Sequence, residues 1–285
     1  MRCMLSEGYM NKIHNRNNYE GLRDELSIKC EKCSGLCCTA LYFAKTEGFP
    51  ENKPSGKPCK NLMENFRCSI HEDLISSKMK GCLAYDCFGA GQKVTQNIYR
   101  QETFRTLPKL ADQIFEVYLI VFRLHQMLWY LIEASTIIMD DASKYDIDVL
   151  IKENERMTGL QPEEILRLSL KEHHAQVNKI LKKVEKQISK ISVDKEQTKD
   201  FMGKDLRKQN LVGKDFSMSL LIGANLEGCN LYGSDFLGAD VRDTNVKNAD
   251  LSESIFLTQM QINAAIGNGK TKLPEWLECP ETWEK

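Results

Sequence analysis

A strict period of five runs through residues 199–258. Apolar side chains fall at Phe201, Leu206, Leu211, Phe216, Leu221, Leu226, Leu231, Phe236, Val241, Val246, Leu251 and Phe256 without a gap. A helix repeats every ~3.6 residues and a strand every ~2.0, so neither keeps every fifth residue against a core. The chain must therefore turn once in each pentad. The residue before each apolar position is usually Asp or Asn. The residue two before it becomes small from Ser219 onward, through Ala224, Cys229, Ser234, Ala239, Thr244, Ala249 and Ser254. Glycine stands two after it at Gly213, Gly223, Gly228, Gly233 and Gly238.

The pentads ANLEG, CNLYG, SDFLG and ADVRD resemble the pentapeptide-repeat family. That resemblance implies a right-handed quadrilateral β-helix with four pentads to each winding, so residues twenty apart should stack. The sequence agrees, because Phe216, Phe236 and Phe256 form one column and Leu211, Leu231 and Leu251 another. Like-on-like columns are favoured by aromatic contact and matched volume. At ~4.8 Å per layer, three windings stand about 14 Å tall. Lys199, Lys204, Gln209 and Lys214 hold the small-residue position in the first winding. A narrow interior does not bury ammonium groups, so these side chains are expected at the open mouth or under a covering helix. Thr258 should N-cap a short helix through Ala265, with Gly267 at its end. The tail and the final PETW resemble a bacterial group of pentapeptide-repeat proteins that also carry an N-terminal cysteine region.

Between the cysteines and the repeat the pattern is helical. Leu110, Ile114, Val117, Val121, Leu124, Leu128, Leu131 and Ile132 recur in steps of three and four, which predicts one helix over 109–139. A shorter helix is expected at 145–157. Pro162, with Glu163 and Glu164 behind it, suits the first turn of a helix reaching 191. The apolar run from Ile114 to Ile138 contains Glu116, Arg123, His125 and Glu133. A bilayer span needs roughly 20 apolar residues in a row, so this run is read as a buried helix.

The chain has 11 cysteines, eight of them at Cys30, Cys33, Cys37, Cys38, Cys59, Cys68, Cys82 and Cys87. No apolar signal core opens the sequence, so a reducing, cytoplasmic setting is expected, and it favours metal over disulfides. C-x2-C spacing lets two thiolates bind one ion from a single turn. Cys37 and Cys38 are adjacent and should belong to different centres, so the eight thiolates supply two four-coordinate sites. His71 is the substitute ligand. Zinc, iron and an iron–sulfur cluster all suit these ligands. The order C-x2-C-x3-CC, PC, RCSIH and C-x4-C resembles the zinc- or iron-chelating cysteine-cluster domains, whose usual form is C-x2-C-x2-CC. Gly89 and Gly91 are expected to turn backbone N–H groups toward thiolates. His125 reads as a packed histidine, His173 and His174 face different ways, Cys229 fills a small-residue position, and Cys3 and Cys279 stand alone.

The expected fold class is therefore mixed. A cysteine-rich, metal-organised N-terminal domain precedes an α-helical middle and a C-terminal pentapeptide-repeat solenoid of the quadrilateral β-helix type. The expected boundaries are a lead-in at 1–29, the cysteine domain at 30–103, helices at 104–197, the repeat at 198–258 and a cap at 259–285. The expected function is a metal-binding, non-enzymatic adaptor that meets a protein partner through solenoid faces. The alternatives are an antibiotic-resistance or self-immunity protein, and a metal- or iron–sulfur-dependent modification enzyme, since flagellin lysine-methylases resemble the cysteine-cluster domain. The formal net charge of −1 points to neither nucleic acid nor membrane. Some pentapeptide-repeat proteins resemble DNA and shield topoisomerases, which over ~14 Å would need roughly eight negative charges. Residues 199–258 carry nine acidic and seven basic residues, a net of −2. Binding measurements should accordingly find no tight, salt-sensitive association with a topoisomerase. Such association, weakened by neutralising Asp235, Asp240 and Asp250, would establish mimicry instead.

Overall fold

The computed structural model describes residue 13 and residues 19–137, 140–188 and 198–283. Cys3, the start of the lead-in and the last residues of the helix expected to reach 191 lie outside them. Part of the lead-in is built into the fold, because Glu20–Leu26 is helix α1 and Leu26 is buried.

The long helix α5, Ala111–Ile137, is the axis of the molecule. Its apolar residues circle most of its surface, so it can pack on several sides at once. Ile114, Val117, Tyr118 and Val121 join a cluster with Leu36, Val94, Tyr99 and Phe104 from the cysteine-rich part. Leu124, Leu128, Leu131 and Ile132 belong to a second cluster that runs through the other helices into the repeat. By length and composition the segment 108–137 could cross a membrane, yet 67% of its apolar window is buried inside the protein.

Helix α6, Asp141–Thr158, starts at Asp140, whose side chain accepts from Ser143 N at 2.8 Å. The helix expected over 162–191 is instead two. Helix α7, Pro162–Leu166, has a capping box between Gln161 and Glu164, and α8, Leu170–Ile188, follows after a break at 167–169. The break lets Ile165 face the cysteine-side cluster while Val177, Ile180, Leu181 and Val184 face the other.

The repeat corrects the expected fold class. A β-helical solenoid is not seen: among the described residues no extended strand or sheet forms, and the regular elements are helices. Most pentads are turns that make an isolated parallel bridge to the residue twenty positions on, as in Asp215↔Asp235, Leu220↔Asp240 and Asn225↔Asn245, and the offset grows at the end to Asn245↔Ile266 and Asp250↔Lys272. The reason is local. Residues two after the apolar position take left-handed backbone, with φ of 66° at Gly213, 54° at Met218 and 58° at Asn248. Corners so frequent leave no run of residues long enough for a ladder.

The columns nevertheless stack. The rings of Phe216 and Phe236 lie 5.3 Å apart, and Phe201 meets Phe216 edge-on at 5.2 Å. Ser234, Thr244 and Ser254 satisfy interior carbonyls, donating to Leu211 O, Leu221 O and Leu231 O at 2.6, 2.7 and 3.0 Å. Lys214 departs from expectation. It is buried, with its ammonium 5.7 Å from the Phe201 ring centroid, a favourable place for a cation.

Three residues of α5 fasten the stack. Trp129 Nε1 donates to Leu257 O at 3.1 Å, Glu133 Oε1 accepts from Phe256 N at 2.6 Å, and Tyr130 meets Phe256 edge-on. At the far end Thr258 caps helix α9, Gln259–Ala264. Gly267 does not end that helix; its bare α-carbon receives Trp283, and an added Cβ would stand 2.5 Å from the ring.

Truncating Phe236, which is 1% exposed, to alanine should cost about 3–5 kcal/mol in urea denaturation. Met218→Ala, at a residue 72% exposed, should stay within about 0.5 kcal/mol. A Phe236→Ala loss below about 1 kcal/mol would refute the packed column.

Candidate functional site

Short elements carry the cysteines, of which Cys33, Cys37 and Cys87 pack with the N-terminal half of α5. Cys30 opens a 3-10 turn, Cys30–Lys32, and Cys37 and Cys38 lie in helix α2, Leu36–Ala40. Cys59 N donates to Cys38 O at 2.9 Å, and a hairpin-like bridge pairs Leu62 with Cys68. Cys82 sits in helix α3, Lys80–Ala84, and Cys87 precedes helix α4, Ala90–Lys93. All ten cysteines among the described residues are free thiols. His71 is exposed, and its backbone N–H points at Cys68 O at 3.4 Å.

The sulfurs fall into neighbourhoods. Cys37 lies within Coulombic reach of Cys33 and Cys87, and Cys87 within reach of Cys33 and Cys30. Cys68 feels Cys38 and Cys59, Cys82 feels Cys38, Cys59, Cys68 and Cys30, and Cys30 and Cys33 both feel Cys38, so the two neighbourhoods adjoin. The Cys37 and Cys38 sulfurs stand 3.9 Å apart. That hydrogen bond raises the Cys37 thiol and lowers Cys38, with the Lys53 ammonium also acting to lower Cys38. Burial pushes Cys30 to about 11, and Cys82 and Cys87 to about 12. Among the described residues no three His, Cys, Asp or Glu side chains converge closely enough to hold an ion as they stand.

Backbone is turned toward the sulfurs even so. Burial raises the Cys33 thiol, with the nearby Leu36 and Gly35 N–H groups and the Thr95 hydroxyl acting the other way, and the Gly91 N–H likewise opposes the rise that burial causes at Cys87. At Gly91 the approach is closest, because a Cβ there would stand 2.6 Å from Cys33 Sγ and 3.8 Å from Cys87 Sγ. A side chain at 91 would crowd Cys33 Sγ, while Cys87 Sγ would stay at ordinary contact distance. That donor chemistry, thiols solvated by N–H groups around a bare glycine, fits a thiophilic metal.

Other side chains brace this region. Thr95, in a π-helical turn Val94–Ile98, accepts from Ser34 N at 3.0 Å and donates to Gly91 O at 2.9 Å. Lys53 donates to the carbonyls of Thr39, Pro54 and Lys57 beside a cleft of about 310 Å³ that reaches Cys59. Tyr85 and Tyr118 share a hydrogen bond of 2.6 Å next to Cys37 and Cys87. Buried Asp86 accepts from Phe88 N at 2.6 Å, and burial pushes its carboxyl up to about 6. His125 Nδ1 bonds Phe88 O at 2.6 Å, and burial lowers its basicity to about 4. Nothing in the residue pattern marks Thr95, Lys53 or Tyr118, because each acts through a contact made by folding.

Two comparisons bear on the whole. The family described as Pentapeptide repeats matches in eight copies over residues 200–236 and 219–256. The chain is also similar to "Uncharacterized protein YybG" of Bacillus subtilis (strain 168), at 40% identity over 286 residues covering 93% of this chain and 98% of that protein. This chain carries pentapeptide repeats and belongs to one family with that Bacillus relative.

Gly91→Ala forces the Cβ against Cys33 Sγ and should cost about 1–3 kcal/mol in denaturant unfolding. Gly21→Ala, in α1 with nothing within 4 Å, should be neutral or stabilising. Equal effects from the two would show that the cradle is not tight.

Proposed function

We propose that the protein is a non-enzymatic binding or adaptor module. Its pentad stack offers a rigid surface to a protein partner, and thiolate-bound metal orders the cysteine-rich part. The Gly91 cradle carries the metal half of this reading, since a position open to no side chain serves two sulfurs at once. Two centres would divide the eight thiolates, with Cys33, Cys37 and Cys87 in one and Cys38, Cys59, Cys68 and Cys82 in the other, while Cys30 lies near members of both. Bound zinc or iron would lock loops that have little regular structure of their own. Free thiols at the ten described cysteines suit a reducing cytoplasm.

The adaptor half rests on the sides of the stack that helices leave uncovered. Along one of them Asn245 Nδ2 donates to Asn225 Oδ1 at 3.1 Å, beside Arg207, Glu227 and Lys247. Polar groups at fixed spacing on a stiff scaffold suit recognition by another protein more than turnover of a small substrate. The cysteine-rich part is tied to the stack by Lys80–Asp243 at 2.8 Å and Arg242–Glu47 at 3.8 Å. Metal occupancy would thus steady the partner-binding surface from one end.

Protein purified without oxygen should contain about two metal ions per chain. Cys87→Ser and Cys68→Ser should each remove one of them, and Cys229→Ser neither. A chelator should open residues 30–87 to protease while a fragment bearing the repeat resists. A metal-free chain with unchanged digestion would defeat the metal reading and leave the adaptor reading standing on the stack alone.

A further inference from the structure

Two acidic side chains lie where α5 meets the repeat, in a seam that contains no metal-ligand candidate. Glu133 is fully buried; its Oε1 holds the Phe256 amide, and its Oε2 is buried without a hydrogen-bond partner. Asp235 is 4% exposed, and its Oδ1 accepts from Leu237 N at 2.8 Å. The residue that Glu133 holds is itself strained, since Phe256 has a φ of 59°, a left-handed conformation that bulky residues avoid. A carboxyl with one idle oxygen in an apolar seam is costly to charge.

We propose that this seam is a proton-dependent latch, closed while Glu133 and Asp235 are neutral and loosened when they acquire charge. Burial raises Glu133 to about 8, and Asp235 adds repulsion; the Phe256 amide and Arg23 of α1 act the other way. Burial raises Asp235 to about 7, with Asp215 and Glu185 of α8 adding to the rise and the Leu237 amide and Lys199 opposing it. Burial, with both carboxyls adding to it and the Gly238 backbone opposing, keeps Tyr130 on the same turn of α5 protonated well beyond this range.

The direction follows from proton counting. The closed seam keeps protons that an open, hydrated seam would release above the ordinary carboxylate range. Closure is therefore strongest in mild acid, and it weakens as pH rises from that range through about 8. Neutral pH lies inside this window, where a modest change in acidity alters how firmly the end of the stack is held. A loosened seam would uncover Phe256, Leu257 and the Trp129 indole, apolar surface that the closed form hides.

Hydrogen exchange on the full chain tests this, with rates divided by the intrinsic rate at each pH. Protection of the Phe256 amide should fall about tenfold or more between pH 6 and pH 9. The Leu231 amide, bonded to Asp250 O within the stack, should hold its protection. In a Glu133→Gln/Asp235→Asn variant the Phe256 profile should be flat. A constant wild-type profile, an equal fall at both amides, or a variant that keeps the wild-type fall would each overturn the latch. If the double variant does not fold, the contrast between the two wild-type amides decides.

Discussion

Everything in this molecule leans on the burial of α5. One end of the helix carries the cluster beneath the cysteines, and the other carries the core shared by α6, α8 and the repeat. A helix apolar on most sides cannot stand in water, so it is stable only when all its neighbours are present. Cysteine region and repeat are therefore coupled through this rigid rod as well as through direct ion pairs such as Lys80–Asp243. Damage at either end should be felt along the axis.

The two ends use different chemistry to reach order. The repeat hides one apolar residue per pentad and satisfies its carbonyls with serine and threonine hydroxyls. Its order is distributed, with each winding supported by the next. The cysteine-rich part has short helices, few interlocking apolar side chains and many sulfurs, so its order is concentrated at a few points. Thr95 and Lys53 show the difference, since each ties together several loops that pack little against one another.

The period of five could be read from the sequence because the same steric demand recurs in every pentad. The phenylalanine column, the cap at Thr258 and the helix start at Pro162 were legible for a related reason: each depends on residues close in sequence or at a fixed offset. What stayed hidden was decided by distant neighbours. Asp235 sits in the same register as the exposed Asp205 and Asp215, and only the docking of α5 and α8 makes it buried. Lys214 was expected at the open mouth or under a covering helix, and the Phe201 face that gives its ammonium a place is a contact that no charge rule names. The break at 167–169 had no proline or glycine to announce it; it arises because the residues on either side serve different clusters. The pairing of sulfurs around Gly91 likewise depends on the fold of a π-helical turn that no spacing rule describes.

The twenty-residue offset between bridges has a consequence for how such a chain can change in length. Inserting one pentad would keep every apolar residue pointing inward but rotate all that follows by one side of the winding. Phenylalanine would then lie over leucine, and Phe256 would no longer face Tyr130. Four pentads together restore the alignment and only move the end of the stack one layer outward. Growth and loss within this segment should thus be quantised in whole windings, while the loops around the cysteines are free to drift one residue at a time.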